Sequence, residues 1–118
     1  MNMRVDVMIT PQPLQRTGRT AAAALSAGYS GMLFTEAGRT AFLNVAAAAL
    51  AAPGLELSTG VAVAFPRSPF VTAATAWELQ EASDGRFRLG LGTQVKAHIE
   101  RRYGMEFSRP GPRMRDYI

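Results

Sequence analysis

A repeated order of local elements restricts this chain more than any other feature. Arg4 to Ile9 is a short strand candidate, β-branched at Val5, Val7 and Ile9, and a proline-marked loop, Thr10-Pro11-Gln12-Pro13, follows it. Leu14, Thr17, Ala21, Ala22, Leu25 and Tyr29 then recur at mostly three- and four-residue spacing, the period of an amphipathic helix. Gly28 stands near its end, where a left-handed cap is needed. The unit recurs as a strand over Gly31 to Thr35 and an alanine-rich helix from Thr40 to Ala52, stopped by Pro53-Gly54. A third strand runs from Leu55 to Val63. Pro69 then opens a third helix through Ala73, Ala76, Trp77 and Leu79, which stops at Ser83-Asp84-Gly85. Arg86 to Leu91 is the fourth strand. Strand, helix and glycine-bearing turn, three times over, predict an α/β fold of parallel strands joined by right-handed helical crossovers.

Two parallel architectures satisfy that order. A doubly wound sheet reverses direction partway and carries helices on both faces, whereas a barrel winds one way with every helix outside. The dinucleotide fingerprint that would mark the first is missing. Gly90-Leu91-Gly92 begins it, but Val95 occupies the third glycine position and the first βα turn is proline-rich. At 118 residues the chain is one domain and too short for a whole eight-fold barrel of about 250 residues.

Composition narrows the chemistry. With 47% hydrophobic and 19% charged residues the chain has the means to bury a core. It has no cysteine, which removes disulfides, thiolate nucleophiles and cysteine-based metal sites. The longest apolar run, Val45 to Ala52, is far below the roughly 20 residues of a membrane span, and the N-terminus does not read as a signal peptide. A cytoplasmic location without membrane contact is the expectation. The net charge is +4, and every basic residue except Lys96 is arginine, the side chain suited to planar phosphate or carboxylate contacts. Arg101, Arg102, Arg109, Arg113 and Arg115 crowd the last eighteen residues. Nucleic acid, an anionic cofactor and simple solvation all fit that tail. Phe87, Tyr103 and Phe107 lack the spacing of a base-stacking platform, so no nucleic-acid partner is expected. His98 is the only histidine. Without a second one nearby it makes no metal site, and it is expected to be exposed and without a role.

Specific residues carry a resemblance. Gly85-Arg86-Phe87-Arg88-Leu89-Gly90-Leu91-Gly92-Thr93, preceded by Gly60-Val61-Ala62-Val63-Ala64-Phe65-Pro66-Arg67-Ser68-Pro69, resembles the bacterial luciferase-like superfamily. So does Glu100-Arg101-Arg102-Tyr103-Gly104 followed by Pro112-Arg113-Met114-Arg115-Asp116-Tyr117. The resemblance runs from about Val5 to the last residue. It is greatest to the oxidoreductases that use the 5-deazaflavin coenzyme (factor 420), with FMN as the alternative. It implies a β/α barrel of which residues 1–118 form the N-terminal half, with about four strands and three to four helices.

The resemblance also implies where a cofactor would lie, at the C-terminal mouth of the strands. Gly60, Val61 and Ala62 match the place where the family carries a bulge, often with a non-prolyl cis peptide, behind the cofactor ring. Gly92, Thr93 and Gln94 match the loop that approaches the cofactor, with Thr93 and Gln94 offering hydrogen bonds. Thr35 and Glu36 end strand two at the same mouth, where a carboxylate would act as acid or base or simply orient the pocket. The family often places a His or Asp shortly after this strand. Here Ala37-Gly38-Arg39-Thr40 has neither, so no catalytic residue is assigned. Lys96, Arg101 and Arg102 are candidates for the cofactor's phosphate and acidic tail.

The implied activity is hydride transfer between the cofactor and a small-molecule substrate. Half a barrel, however, leaves one sheet face uncovered, including alternate members of Val5, Val7, Ile9, Leu33, Leu57, Val61, Leu89 and Leu91. The expectation is therefore a homo-oligomer, or pairing with a complementary C-terminal half, and little or no activity alone. The second reading is a non-enzymatic, self-associating interaction module that keeps the family fold.

Overall fold

A computed structural model describes residues 2–118. In chain order these form β1 (Asp6–Ile9), α1 (Leu14–Ser26), β2 (Gly31–Phe34), α2 (Ala41–Ala51), β3 (Glu56–Thr59), β4 (Ala62–Val63), α3 (Pro69–Ala82), β5 (Phe87–Arg88), β6 (Leu91–Gly92), α4 (Lys96–Tyr103) and α5 (Pro110–Tyr117). The sheet order is β1-β2-β3-β5, all parallel, and β4 pairs with β6 in a short parallel extension. Strands follow chain order without reversal, so the winding is that of a barrel wall rather than a doubly wound sheet.

Register explains which residues are covered. Val7, Met32, Leu57 and Phe87 lie side by side across the four strands, and Ile9, Phe34 and Thr59 form the next row of the same face. Those rows meet the helices, where Ala21, Ala24, Val45, Ala48, Ala52 and Leu79 complete one core. Small side chains let α1 and α2 approach closely: a Cβ at Gly18 would stand 3.3 Å from that of Ala51. Burying each large member, such as Phe34 or Leu57, contributes about 1.5–3 kcal/mol. A polar lock joins the same two helices. The buried Asn44 accepts from the Gln12 amide (2.9 Å) and the Thr17 hydroxyl (2.5 Å) through Oδ1.

The opposite face corrects the expected apolar patch. Val7, Ile9 and Leu57 sit under the helices, and the open face reads Asp6, Gly31 and Glu56 in one row, then Met8, Leu33, Ser58 and Arg88 in the next. Glu56 is ion-paired with Arg4 and, at 3.9 Å, with Arg88. Of the expected members Leu33 does lie on the open face, whereas Val7 and Ile9 turn inward, because β1 directs Met8 outward instead. Trp77 also differs from its place in the helical pattern. It is 70% exposed and donates to Glu81 (3.1 Å), while Leu79 takes the inward position.

The described residues form five helices, the three to four expected and one more at the C-terminal end. The fifth, α5, closes a second cluster of Val63, Ala64, Phe65 and Ile99 with Tyr103, Phe107, Met114 and Tyr117. Tyr117 donates to the Arg67 carbonyl (3.0 Å), and the Arg113 guanidinium lies 4.2 Å over the Phe65 ring. Part of the basic tail is therefore packing material. Leu91 touches both clusters and connects them at the strand ends.

Candidate functional site

Strands three and four both break at the level where the expected mouth begins. β3 stops at Thr59, the Gly60–Val61 peptide is cis, and β4 starts at Ala62. Opposite it, Gly90 separates β5 from β6. Thr59 substitutes for the missing ladder: its Oγ1 donates to the Gly90 carbonyl (2.7 Å) and accepts from the Gly90 amide (2.9 Å). Pairing resumes with the Ala62 amide on Gly90 (2.8 Å) and the Ala64 amide on Gly92 (3.0 Å). Gly90 is required here because a Cβ would collide with the Thr59 carbonyl, which is backbone and cannot move aside. At Gly60 a Cβ would come within 2.5 Å of Leu33 Cδ1.

The break presents Val61, 45% exposed, beside the half-buried Gly60. Ala62 is fully buried in the core beneath the helices, and its amide is engaged by Gly90. Gly92, Thr93 and Gln94 follow on β6 and are half-buried. Gln94 takes a left-handed conformation, φ 57°, and its Oε1 accepts from the Val95 amide (3.1 Å), while Thr93 Oγ1 donates to the Gln94 carbonyl (3.2 Å). Thr35, half-buried, continues the β1 pairing by donating its amide to Ile9 (3.2 Å).

Glu36 anchors this end of the sheet. Its carboxylate takes both arms of the Arg67 guanidinium, 2.8 Å at each oxygen, and also accepts from the amides of Val63 (3.0 Å) and Ala41 (2.9 Å). Arg67 is held in turn by the Val63 carbonyl (2.9 Å), Thr40 Oγ1 (3.2 Å) and the Phe42 ring 4.8 Å away. Burial alone would push the Glu36 carboxyl up. The Arg67 fork and the two amides outweigh it and hold the pKa below the usual carboxylate value. A charged, fully engaged carboxylate neither gives nor takes a proton near neutrality, so Glu36 ties β2, β4 and α2 together.

Beside this pair opens a cleft of about 250 Å³, reached by Gly38, Arg39, Arg102 and Tyr103. Arg39 and Arg102 are exposed, and among the described residues neither has a carboxylate within ion-pair distance. Burial first, and the Glu36 charge second, raise the Tyr103 hydroxyl above its ordinary pKa, so it stays a donor. Sequence reasoning did not find Arg39, Arg67 or Tyr103 as site residues. The signal available is an arginine in the segment after each of strands two and three. Lys96 instead pairs with Glu100 along the helix (3.8 Å), and Arg101 is exposed without lining the cleft. His98 is half-buried rather than exposed, and its Nδ1 is buried without a partner among the described residues.

A parallel wall in chain order with its irregular loops at the carboxyl ends is the arrangement of part of a β/α barrel. The sequence profile of the luciferase-like monooxygenase family matches residues 2–118, and the chain belongs to that family. An uncharacterized protein of Mycobacterium tuberculosis is 42% identical over 108 residues, 92% of this chain and 32% of that one. A putative coenzyme F420-dependent oxidoreductase of the same species is 34% identical over 91% of this chain and 31% of its own length. The chain thus spans about a third of the length of these relatives. The fold matches the coenzyme F420-dependent tetrahydromethanopterin reductase of Methanopyrus kandleri with TM-score 0.77, at 19% identity over 91% of this chain and 31% of that one. It also matches the oxygenating constituent of 3,6-diketocamphane monooxygenase from Pseudomonas putida, in complex with FMN, with TM-score 0.84. There the identity is 17%, over 98% of this chain and 38% of that one. No described helix is long and apolar enough to cross a membrane.

Proposed function

We propose that this chain supplies part of the cofactor mouth of a luciferase-like oxidoreductase. The cofactor is a deazaflavin of the factor 420 type or, alternatively, FMN, and it supplies hydride transfer to a small-molecule substrate when bound. The paired break of strands three and four carries the reading. It sets an apolar surface of Val61 and Leu33 beside the hydrogen-bonding Thr93 and Gln94, which suits a flat ring with a polar edge. Gly60, Val61 and Ala62 form the pad behind the ring, Gly92, Thr93 and Gln94 border it, and Thr35 closes the side toward β2. Glu36 positions the loops rather than transferring a proton.

The chain spans about a third of its relatives' length, and one face of its sheet is open, so we propose that it is inactive or weakly active alone. A second copy, or the remaining length of the family fold, covers that face. The uncovered row of Met8 and Leu33 also favours the second reading, a self-associating module without catalysis. Titration with oxidised and reduced deazaflavin and with FMN, followed by absorbance and fluorescence, separates the two. Micromolar binding supports the cofactor mouth, and absence of binding to all three supports the module. Sedimentation over a hundredfold concentration range tests association, and a dilute monomer that stays monomeric when concentrated removes it.

A further inference from the structure

The cleft beside Glu36 joins residues from distant parts of the chain. Arg39 comes from the loop between β2 and α2, while Arg102 and Tyr103 come from the last turn of α4. The one carboxylate in its wall, Glu36, is already saturated by Arg67, Val63 and Ala41. Two arginines therefore face a cavity whose only negative charge is neutralised elsewhere. Guanidinium groups left without a carboxylate beside a cavity favour a tetrahedral or planar oxyanion. The Tyr103 hydroxyl adds a neutral donor.

We infer that this cleft binds an oxyanion, a phosphate or carboxylate, through Arg39, Arg102 and Tyr103. The group comes either from the cofactor's own phosphate or from an anionic substrate. The inference rests on the proposed cofactor mouth only for the source of the anion, because the cleft is built entirely from this chain. Glu36 gives it a second role. By occupying Arg67, it keeps that guanidinium as a fixed wall and leaves Arg39 and Arg102 as the groups that engage the ligand.

The test uses the whole chain, labelled with nitrogen-15, and inorganic phosphate at constant ionic strength. Phosphate is expected to shift the resonances of Gly38, Arg39, Arg102 and Tyr103 saturably. R39Q and R102Q are each expected to weaken binding about tenfold or more, as loss of a charged hydrogen bond does. R19Q, which removes an exposed charge on α1 outside the cleft, is expected to leave it unchanged. Shifts that are absent, or identical in R39Q and R102Q, overturn the inference. FMN and riboflavin then separate the sources. Weaker FMN but unchanged riboflavin binding in R102Q assigns the cofactor's phosphate, whereas unchanged FMN with weakened phosphate assigns a substrate anion. Phosphate binding without any flavin or deazaflavin binding leaves the cleft standing and defeats the cofactor mouth. Cofactor binding with no phosphate response does the reverse.

Discussion

Replacing Glu36 by glutamine tests the reading of the mouth as a structure held by one carboxylate. The side chain is 3% exposed and that of Arg67 is 20% exposed, so the change leaves a mostly buried guanidinium without its counter-ion. Glutamine also cannot satisfy the geometry. One carboxylate oxygen faces Arg67 and the Val63 amide, the other Arg67 and the Ala41 amide, so the new NH2 group must confront donors in either orientation. Breaking a buried pair costs about 3–5 kcal/mol. Arg67 keeps some water and its contacts with Val63 and Thr40, which places the expected loss near the lower limit, about 3 kcal/mol.

Urea unfolding of both proteins at one fixed concentration measures the difference at pH 7. The pH dependence then tests its cause. Glu36 has a lowered pKa when folded, so its contribution is complete above the unfolded value of 4.5 and fades as pH falls through the folded value. The gap between wild type and E36Q is therefore expected to hold from pH 7 to about 5 and to narrow below 4.5. Glu56 titrates in the same direction, but it is present in both proteins and cancels in the difference. E36L/R67M, which removes both charges, is expected to cost less than E36Q, since no unpaired ion remains. A pH 7 loss under about 1 kcal/mol, or a gap equal at pH 7 and pH 3, would refute the argument.

Three further substitutions address the parts that position the mouth. Thr59→Val keeps the shape but removes both hydroxyl contacts to Gly90, and is expected to cost about 1–3 kcal/mol in urea unfolding. Amide exchange should quicken at Ala62, whose bond lies next to the lost contacts. Asn44→Ala strands the Gln12 amide and the Thr17 hydroxyl, with an expected loss of about 1–3 kcal/mol and a lower thermal midpoint. Ser68→Ala removes the cap on the Val71 amide (3.2 Å) and is expected to cost about 1 kcal/mol, readable in the same unfolding assay.

Where local chemistry decides, the sequence reading and the structure agree. Pro53-Gly54 and Pro69 mark boundaries because proline and glycine act on their own backbone, and the helices start and stop within a residue or two of the places they predict. The three βα units and their parallel order follow from that punctuation. What the sequence hid depends on distant pairs. Leu55 to Val63 reads as one strand because nothing in it shows that Thr59 will bond Gly90 thirty-one residues later. Glu36 reads as a candidate acid or base because Arg67, also thirty-one residues away, is invisible to spacing. The segment of α5, Pro110 to Tyr117, reads as a basic tail because its proline and glycine look like a loop, while the contacts that order it are with Phe65 and Thr72.

Those distant pairs explain how a four-stranded wall with one open face keeps a defined mouth. In a closed barrel, strand ends are fixed by neighbours on both sides, whereas β1 here has a neighbour only in β2 and β5 only in β3. The ends are fixed instead from above. Glu36 and Arg67 tie β2 to β4 and α2, Thr59 ties β3 to Gly90, and Tyr117 fastens α5 to the turn after Arg67. None of these ties crosses the open face, where among the described residues Arg4, Glu56 and Arg88 make ion pairs. The device that orders the mouth and the open sheet face are thus physically separate. A partner added to the open face is therefore expected to complete the pocket without rebuilding the loops that shape it, and amide exchange in residues 35–41 and 90–94 is expected to stay unchanged when cover is supplied.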